Sequence, residues 1–235
     1  MKNIIMASTS TVYGSNSLEY LFNELTPFFE GVSSILFVPY ARPGGISHDN
    51  YTAHISERFA QIGKRVKGIH EFTNTKSAIE EAEAIYIGGG NTFLLIDQIY
   101  KLDLLDAIKT VVEAGTKYLG TSAGSNICGL TMNTTNDMPI VYPPSFKTFG
   151  FVPFNINPHY LDPNLSSTHK GETRETRIKE FHKFNSQPVV GLREGSWLKV
   201  EGNTIILKGE LQARIFEYGK QPYEINPGSN IASLS

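Results

Sequence analysis

Short apolar runs alternate with segments of helical periodicity through the first half of the chain. The apolar runs predict buried strands at 3–7, 34–40, 65–70, 84–87 and 117–120. Apolar residues spaced three or four apart predict helices between them, at 18–25, 48–62, 77–82, 92–100 and 104–115. Pro27 is expected to end the first helix. Apolar strands separated by helices are typical of a parallel sheet that is covered on both faces.

The second half of the chain has a less regular pattern. Residues 133–144 are polar and contain prolines, which predicts a loop with a short strand at Ile140 and Val141. Further patterns predict strands at 154–160 and 189–192, a helix at 171–184, and a meander at 197–200, 204–207 and 213–218. No internal repeat or linker is visible, so we predict one domain spanning residues 1–235.

Composition narrows the class of protein. Of the 235 residues, 40% are hydrophobic, which is enough for a sizeable α/β core. The formal net charge is −2 without blocks of like charge, so nucleic acid is not an expected partner. Cys128 is the single cysteine, which excludes an internal disulfide and a cysteine-based zinc cluster. No apolar run is long enough for a signal peptide or a membrane span, so we expect a cytoplasmic protein without a membrane partner.

A Gly-x-Ser-x-Gly sequence at 120–124 directly follows the predicted strand at 117–120. A serine at a tight strand-to-helix turn has strained backbone angles, and its hydroxyl is exposed to a base and a substrate. The same five residues are also compatible with an ordinary tight turn. The loop after Tyr40, the loop at 88–91 and the turn at Ser122 all follow predicted parallel strands. Ligands bind at that edge of such sheets.

A serine nucleophile needs a base, and an acid usually orients that base. His159 follows Asn157-Pro158 at the end of a predicted strand, which places its imidazole at a sheet edge. His169 lies just before a predicted helix, and its position is compatible with either a functional role or a surface or capping role. Asp137 and Glu194 are both candidates for the acid. Each is also compatible with a simpler role, a turn-forming aspartate or a solvated loop charge.

Three consecutive glycines at 88–90 follow another predicted strand. Glycines allow backbone N–H groups to turn toward a phosphate or a developing oxyanion. No Lys-Ser/Thr pair follows and no Gly-x-Gly-x-x-Gly is present, which disfavours a phosphate site. We therefore expect an oxyanion hole formed by the N–H groups of Gly89 or Gly90 and of Ala123.

Five motifs occur together and in order along the chain. They are Ile-Gly-Gly-Gly-Asn-Thr-Phe at 87–93, Gly-Thr-Ser-Ala-Gly at 120–124, Thr-Thr-Asn-Asp-Met-Pro-Ile at 134–140, Ile-Asn-Pro-His at 156–159 and Lys-Gly-Glu-Thr-Arg at 170–174. As far as about Trp197, the combination resembles the peptidase E group (α-aspartyl dipeptidases) of serine peptidase family S51, which also contains cyanophycinase-like enzymes. The resemblance implies a three-layer α/β/α sandwich with a mostly parallel sheet, similar to class I glutamine amidotransferase domains. It also implies hydrolysis of dipeptides with an N-terminal aspartate, without a metal or another cofactor.

The resemblance assigns roles to the residues that match these motifs. It makes Ser122 the nucleophile and His159 the general base, and it gives both Asp137 and Glu194 a claim to the third place. We prefer Glu194 for orienting His159, because it follows the buried strand predicted at 189–192. Asp137 would then order its loop or recognise the substrate.

Recognition of an aspartate side chain needs a cation that can bind a carboxylate through two N–H groups. We expect Arg174 to supply that cation, with Asn91 and His169 as further substrate-binding residues. Alternatively, Arg174 pairs with Glu172 or Glu180 on the surface of its own helix.

Other functions remain open from the sequence. The same residues would serve an esterase or an isoaspartyl or cyanophycin-type peptidase, and the chain could also be a non-catalytic small-molecule binding protein. The presence of Ser122, His159 and both acids argues against the non-catalytic alternative. The expected partner is a small peptide substrate, and the sequence gives no oligomeric state.

Overall fold

The strands and helices alternate along the chain before a strand-rich final third. The computed structural model describes residues 1–163, 166, 168 and 171–234. In these residues the strands are β1 (Asn3–Ala7), β2 (Ser34–Val38), β3 (Arg65–Gly68), β4 (Ala84–Ile87), β5 (Lys117–Thr121), β6 (Asn155–Pro158), β7 (Val189–Leu192), β8 (Trp197–Glu201), β9 (Thr204–Lys208), β10 (Ala213–Phe216) and β11 (Tyr223–Ile225). The helices are α1 (Phe22–Phe28), α2 (His48–Ala60), α3 (Thr75–Glu80), α4 (Thr92–Lys101), α5 (Leu105–Ala114), α6 (Ala123–Asn126) and α7 (Arg174–Phe181).

The main sheet has seven strands in the order β3-β2-β4-β5-β1-β8-β9. The strands from β3 to β1 run parallel to one another. β8 and β9 extend the sheet as an antiparallel pair. The carboxyl ends of β1, β2, β4 and β5 therefore meet at one edge, and the loop after Tyr40, the glycine loop and the Ser122 turn all begin there.

Alternate residues of the parallel strands face two separate cores. On one side, Phe37 and Tyr86 pack with Tyr51 and Phe59 of α2 and with residues of α1. On the other side, Val38 and its counterparts in β1 and β4 pack with α3, α4 and α5. This confirms the predicted three-layer α/β/α arrangement around a mostly parallel sheet.

A second sheet packs on the side of α3 to α5. Its strand order is β11-β10-β7-β6, and Ile156, Val190 and Ile215 belong to the same hydrophobic core as α4 and α5. β6 and β7 are parallel, with Pro158 opposite Leu192, whereas β10 and β11 are antiparallel. The carboxyl ends of β6 and β7 therefore also lie side by side.

Several details differ from the sequence prediction. Pro27 lies inside α1 rather than ending it, because the fixed φ of proline is compatible with a helix, and a single residue follows it in α1. Ile140 and Val141 form no strand, and the N–H of Ile140 instead donates locally to the carbonyl of Met138. The predicted helix at 171–184 is shorter, because the side chain of Thr173 caps its start at residue 174.

The predicted meander is correct for β8 and β9 and wrong for its third strand, which joins the second sheet as β10. The outer edge of β9 is occupied instead by the C-terminal segment, where the N–H of Ile231 donates to Ile205 and that of Leu207 to Ser229. Because those hydrogen-bonding groups are satisfied, β10 pairs with β7. Among the described residues, no helix is long and apolar enough to cross a membrane.

Gly120 and Gly124 allow α6 to lie directly on the ends of β4 and β5. A Cβ atom at Gly120 would lie 2.5 Å from the carbonyl oxygen of Gly124, and one at Gly124 would lie 2.1 Å from that of Ile87. Both obstacles are backbone atoms, which cannot rotate away as a side chain can. The two glycines of the Gly-x-Ser-x-Gly sequence thus set the distance between the Ser122 turn and the sheet.

We expect Gly124→Ala to lower the free energy of unfolding by about 3 kcal/mol or more, because overpacking typically costs ~1–3 kcal/mol and the contact here is with backbone. Urea denaturation measures the loss. Gly44→Ala is a matched control, since its added methyl group meets open space; a change within about 0.5 kcal/mol is expected. Equal midpoints for the two variants would contradict this account of the packing.

Candidate active site

Ser122 lies at a strained turn between β5 and α6. Its backbone angles are φ 54° and ψ −112°, a region that residues with a side chain rarely adopt and that costs about 1–3 kcal/mol. The turn is held from both sides, because the N–H of Ser122 donates to Ala7 (3.1 Å) and its carbonyl accepts from Ser125 and Asn126 (3.0 and 2.9 Å). The strained backbone expected of a serine in this motif is therefore present.

The structure brings Ser122, His159 and Glu194 into direct contact. The Oγ of Ser122 lies 2.8 Å from Nε2 of His159, and Nδ1 of the same ring lies 2.6 Å from Oε1 of Glu194. His159 directly follows β6, and Glu194 comes two residues after β7. The parallel pairing of these strands therefore explains why two residues 35 positions apart meet. The side chains of His159 and Glu194 are 36% and 53% exposed, so substrate has access to the site.

Arg193 anchors the turn that carries Glu194. Its guanidinium binds the carboxylates of Asp162 (2.7 and 2.8 Å) and Glu224 (2.9 and 3.0 Å) and lies over the ring of Tyr160. Glu224 first, and then Asp162, raises the pKa of Arg193. The bonds of Arg193 connect the end of β7 to β11 and to the segment after β6, so the backbone next to Glu194 is held on two sides.

Asp137, the other candidate acid, lies at the start of α4. Its Oδ2 accepts hydrogen bonds from the N–H and the hydroxyl of Thr92 (2.7 and 2.6 Å) and from the hydroxyl of Thr135 (3.0 Å). A carboxylate is favoured at this position by the positive end of the helix dipole. Of the two acids, the structure brings Glu194 and not Asp137 to His159.

The residues around Asp137 hold the strand that leads to His159. Thr134 donates to the carbonyl of Ile156 (2.9 Å), and Asn136 donates to that of Pro158 (2.7 Å). Asn126, at the end of α6, also donates to Ile156 (2.7 Å). These bonds connect β6 to the Ser122 turn. The sequence did not indicate these roles, because a short polar side chain does not reveal which distant carbonyl it contacts.

The glycine loop lies directly against the serine. A Cβ atom at Gly89 would lie 2.9 Å from the Cβ of Ser122 and 3.5 Å from its Oγ, so a side chain there would fill the space beside the hydroxyl. The hydroxyl of Tyr51 donates to the carbonyl of Gly89 (3.4 Å). Because a trans peptide directs C=O and N–H to opposite sides, the N–H of Gly90 points away from Tyr51. Neither Gly89 nor Gly90 donates its N–H to another described residue.

Residues 4–208 match the family model for peptidase family S51. The chain belongs to this family. A protein named peptidase E from Streptomyces coelicolor is 47% identical over 232 residues, covering 99% of this chain and 94% of the relative. A Drosophila melanogaster protein named probable alpha-aspartyl dipeptidase is 42% identical over 236 residues, covering 99% and 97%. The crystal structure of a peptidase from an acI-B1 actinobacterium is 16% identical, with a TM-score of 0.72 over 98% of this chain and 96% of that one, and thus shares the fold.

In this S51 peptidase, Arg174 has no carboxylate partner within the part of the chain that the structure describes. It is the first residue of α7, is half-buried, and forms no ion pair or hydrogen bond with another described residue. Burial lowers the pKa of Arg174, as does Arg177 to a lesser extent, while Asp137 acts in the opposite direction. The alternative pairing with Glu172 is not among the described contacts, and Glu172 lies 3.7 Å from Arg177 instead. No ion pair with Glu180 is present among the described residues either.

Asn91 and His169 are the other two expected substrate contacts. Asn91 caps α4, with its Oδ1 accepting from the N–H of Leu94 (3.1 Å) and its Nδ2 donating to the carbonyl of Met138 (2.9 Å). Its side chain is therefore engaged in holding the loop near Asp137. His169 lies outside the described residues.

The single cysteine is buried away from the candidate site's surface, and the described residues form no metal-binding group. Cys128 is fully buried, donates to the carbonyl of Gly124 (3.3 Å), and burial raises the pKa of its thiol. In the part of the chain that the structure describes, no three histidine, cysteine, aspartate or glutamate side chains are grouped to hold a metal ion.

Proposed function

We propose that this protein is a serine dipeptidase that hydrolyses Asp-Xaa dipeptides at the bond after the N-terminal aspartate. The observation that carries the proposal is the hydrogen-bonded series from Ser122 through His159 to Glu194, at 2.8 and 2.6 Å. Membership of a peptidase family supports a peptide bond as the target. Similarity to a relative named probable alpha-aspartyl dipeptidase supports aspartate as the first residue.

The contacts correspond to a two-step acyl transfer. As the Oγ of Ser122 attacks the scissile carbonyl carbon, Nε2 of His159 accepts the hydroxyl proton and then delivers it to the nitrogen of the leaving amino acid. This leaves an aspartyl ester on Ser122. Water then attacks the ester carbonyl as Nε2 of His159 accepts its proton. The bond between the acyl carbon and the Oγ of Ser122 breaks, His159 returns the proton to that Oγ, and free aspartate is released. Glu194 holds Nδ1–H of the ring throughout, so that Nε2 faces the serine.

The oxyanion of each tetrahedral intermediate needs N–H donors beside Ser122. We assign Gly89 or Gly90 and Ala123 to this role. The glycine loop lies against the serine, and the N–H of Ala123, at the first position of α6, has no acceptor within its own helix. One such donor is typically worth roughly 3–4 kcal/mol in the transition state.

Arg174 is the residue we assign to the aspartate side chain of the substrate. Its guanidinium is half-buried and has no carboxylate partner among the described residues. Burial removes hydration that a bound carboxylate would replace with two N–H···O bonds. An uncharged first residue would leave the guanidinium unpaired. Preference for aspartate follows from that difference.

Ser122→Ala should reduce the turnover of α-Asp-Leu by at least about 10⁴-fold, because it removes the hydroxyl that lies 2.8 Å from Nε2 of His159. Assays of α-Asp-Leu, β-Asp-Leu and β-Asp-Arg with the wild-type protein separate α-aspartyl from isoaspartyl and cyanophycin-type activity. An unchanged melting temperature verifies that the variant is folded. Turnover by Ser122→Ala near the wild-type rate would rule out the serine mechanism.

Arg174→Ala should remove most of the preference for Asp-Leu over Leu-Leu, a change of about 10²-fold in the ratio of kcat/KM if two charge-assisted hydrogen bonds are lost. Lys179→Ala is a matched control, since it removes a positive charge from the same helix that is already paired with Glu175 (2.6 Å). The control should keep the wild-type ratio. An unchanged ratio in Arg174→Ala would exclude Arg174 from aspartate recognition.

Glu194→Gln should lower kcat by up to about 10⁴-fold, the loss known for amide replacement of a triad acid, because the imidazole loses its orienting carboxylate. Asp137→Asn should cost much less kcat and more stability, since Asp137 accepts three hydrogen bonds at the start of α4. Steady-state kinetics and urea denaturation of both variants give the comparison. A larger kcat loss for Asp137→Asn would reverse the assignment of the acid.

A further inference from the structure

Ser8 lies directly after β1 and is fully buried. It contacts the backbone of His159 and the backbone of the turn that carries Glu194. Its hydroxyl accepts a hydrogen bond from the N–H of His159 (2.8 Å) and donates one to the carbonyl of Leu192 (2.7 Å). Its own N–H donates to the carbonyl of Ser196 (3.0 Å). Ser8 thus joins the end of β1 to two segments that are far away in sequence, one at His159 and one at residues 192–196.

We propose that Ser8 is a positioning residue that sets the geometry between His159 and Glu194. The proposal rests on the roles proposed above for those two residues. Leu192 and Ser196 stand two residues before and two residues after Glu194, so Ser8 holds both ends of the turn that carries the carboxylate.

The hydrogen bond to the N–H of His159 stabilises an unfavourable backbone conformation of that residue. The φ angle of His159 is 53°, in the left-handed region, which is unfavourable for a residue with a side chain. Such conformations persist where several contacts hold the residue in place. The hydrogen bond from the N–H of His159 to the hydroxyl of Ser8 is one such constraint, and it acts on the residue that carries the imidazole.

The same strand end also holds the nucleophile. The carbonyl of Ala7, one residue before Ser8, accepts from the N–H of Ser122 (3.1 Å) and from the hydroxyl of Ser125 (2.6 Å). Ala7 at the end of β1 and the adjacent Ser8 therefore hold the backbone of all three members of the series. A hydroxyl suits position 8 because one atom both accepts and donates, and alanine does neither.

The first test is kinetic. Ser8→Ala should lower kcat for Asp-Leu by about 10- to 100-fold with little change in KM, because a displacement of about 1 Å between reacting groups can cost ~10²-fold. Thr148→Val is the matched control, since it removes another buried hydroxyl that donates to a carbonyl, that of Gly129 (2.6 Å), away from the site. It should lower the melting temperature to a similar extent and leave kcat unchanged.

The second test asks whether Ser8 acts through the imidazole and its carboxylate. In the Glu194→Gln background, Ser8→Ala should cause only a small further loss of kcat. The contact between His159 and the Glu194 carboxylate, which Ser8 is proposed to position, is already lost in that background. A residue that merely stabilises the fold would lower kcat by the same factor in both backgrounds. Equal factors, or an unchanged kcat in folded Ser8→Ala, would overturn the proposal.

The third test needs no substrate, so it separates a failure of this proposal from a failure of the proposed dipeptidase activity. The ¹⁵N chemical shifts of the His159 ring report which nitrogen carries the proton. Ser8→Ala should move these shifts toward those of Glu194→Gln, whereas Thr148→Val should keep the wild-type values. Wild-type shifts in Ser8→Ala would refute the positioning role even if Asp-Leu were not hydrolysed. Ser8→Cys, which keeps the volume and weakens both hydrogen bonds, gives the same comparison if Ser8→Ala does not fold.

Discussion

The strained turn at Ser122 depends on hydrogen bonds to a neighbouring strand. The carbonyl of Ala7 accepts both the N–H of Ser122 and the hydroxyl of Ser125, so the unfavourable φ of 54° is tied to the centre of the main sheet. A strained residue on a mobile loop would relax. Here the turn lies between two parallel strands and against the end of β4, and the rest of the site is positioned relative to it.

The site lies where the edges of two sheets meet. The main sheet contributes the Ser122 turn and the glycine loop, and the second sheet contributes His159 and Glu194 from the parallel ends of β6 and β7. Packing between these layers is apolar and therefore does not itself fix a hydrogen-bond geometry. The polar bonds of Asn126, Asn136 and Arg193 supply that precision, since each one joins a carbonyl or carboxylate of one segment to a side chain of another.

Local patterns predicted the parallel half of the molecule well. Apolar strands, helical spacing and glycines after a strand are properties of short windows, and they correctly placed the Ser122 turn and the glycine loop at one edge. The strand that pairs with β10 depends on which distant strand has a free edge. A short stretch of sequence does not contain that information. For the same reason the two acids could not be separated by residue chemistry alone. Asp137 lies in a polar loop and Glu194 lies two residues after β7, and the pairing of β6 with β7 decides which one meets His159.

The surroundings of Arg174 depend on the hydrogen bonds of Asp137. Three hydrogen bonds from Thr92 and Thr135 converge on one of its oxygens, so the carboxylate stays at the start of α4 and forms no ion pair with Arg174. It is still close enough to favour the charged form of that arginine against the effect of burial. A direct ion pair would stabilise the guanidinium more, but it would occupy the N–H groups that we assign to a substrate carboxylate. Holding Asp137 through neutral hydroxyl and amide donors thus leaves the N–H groups of Arg174 available.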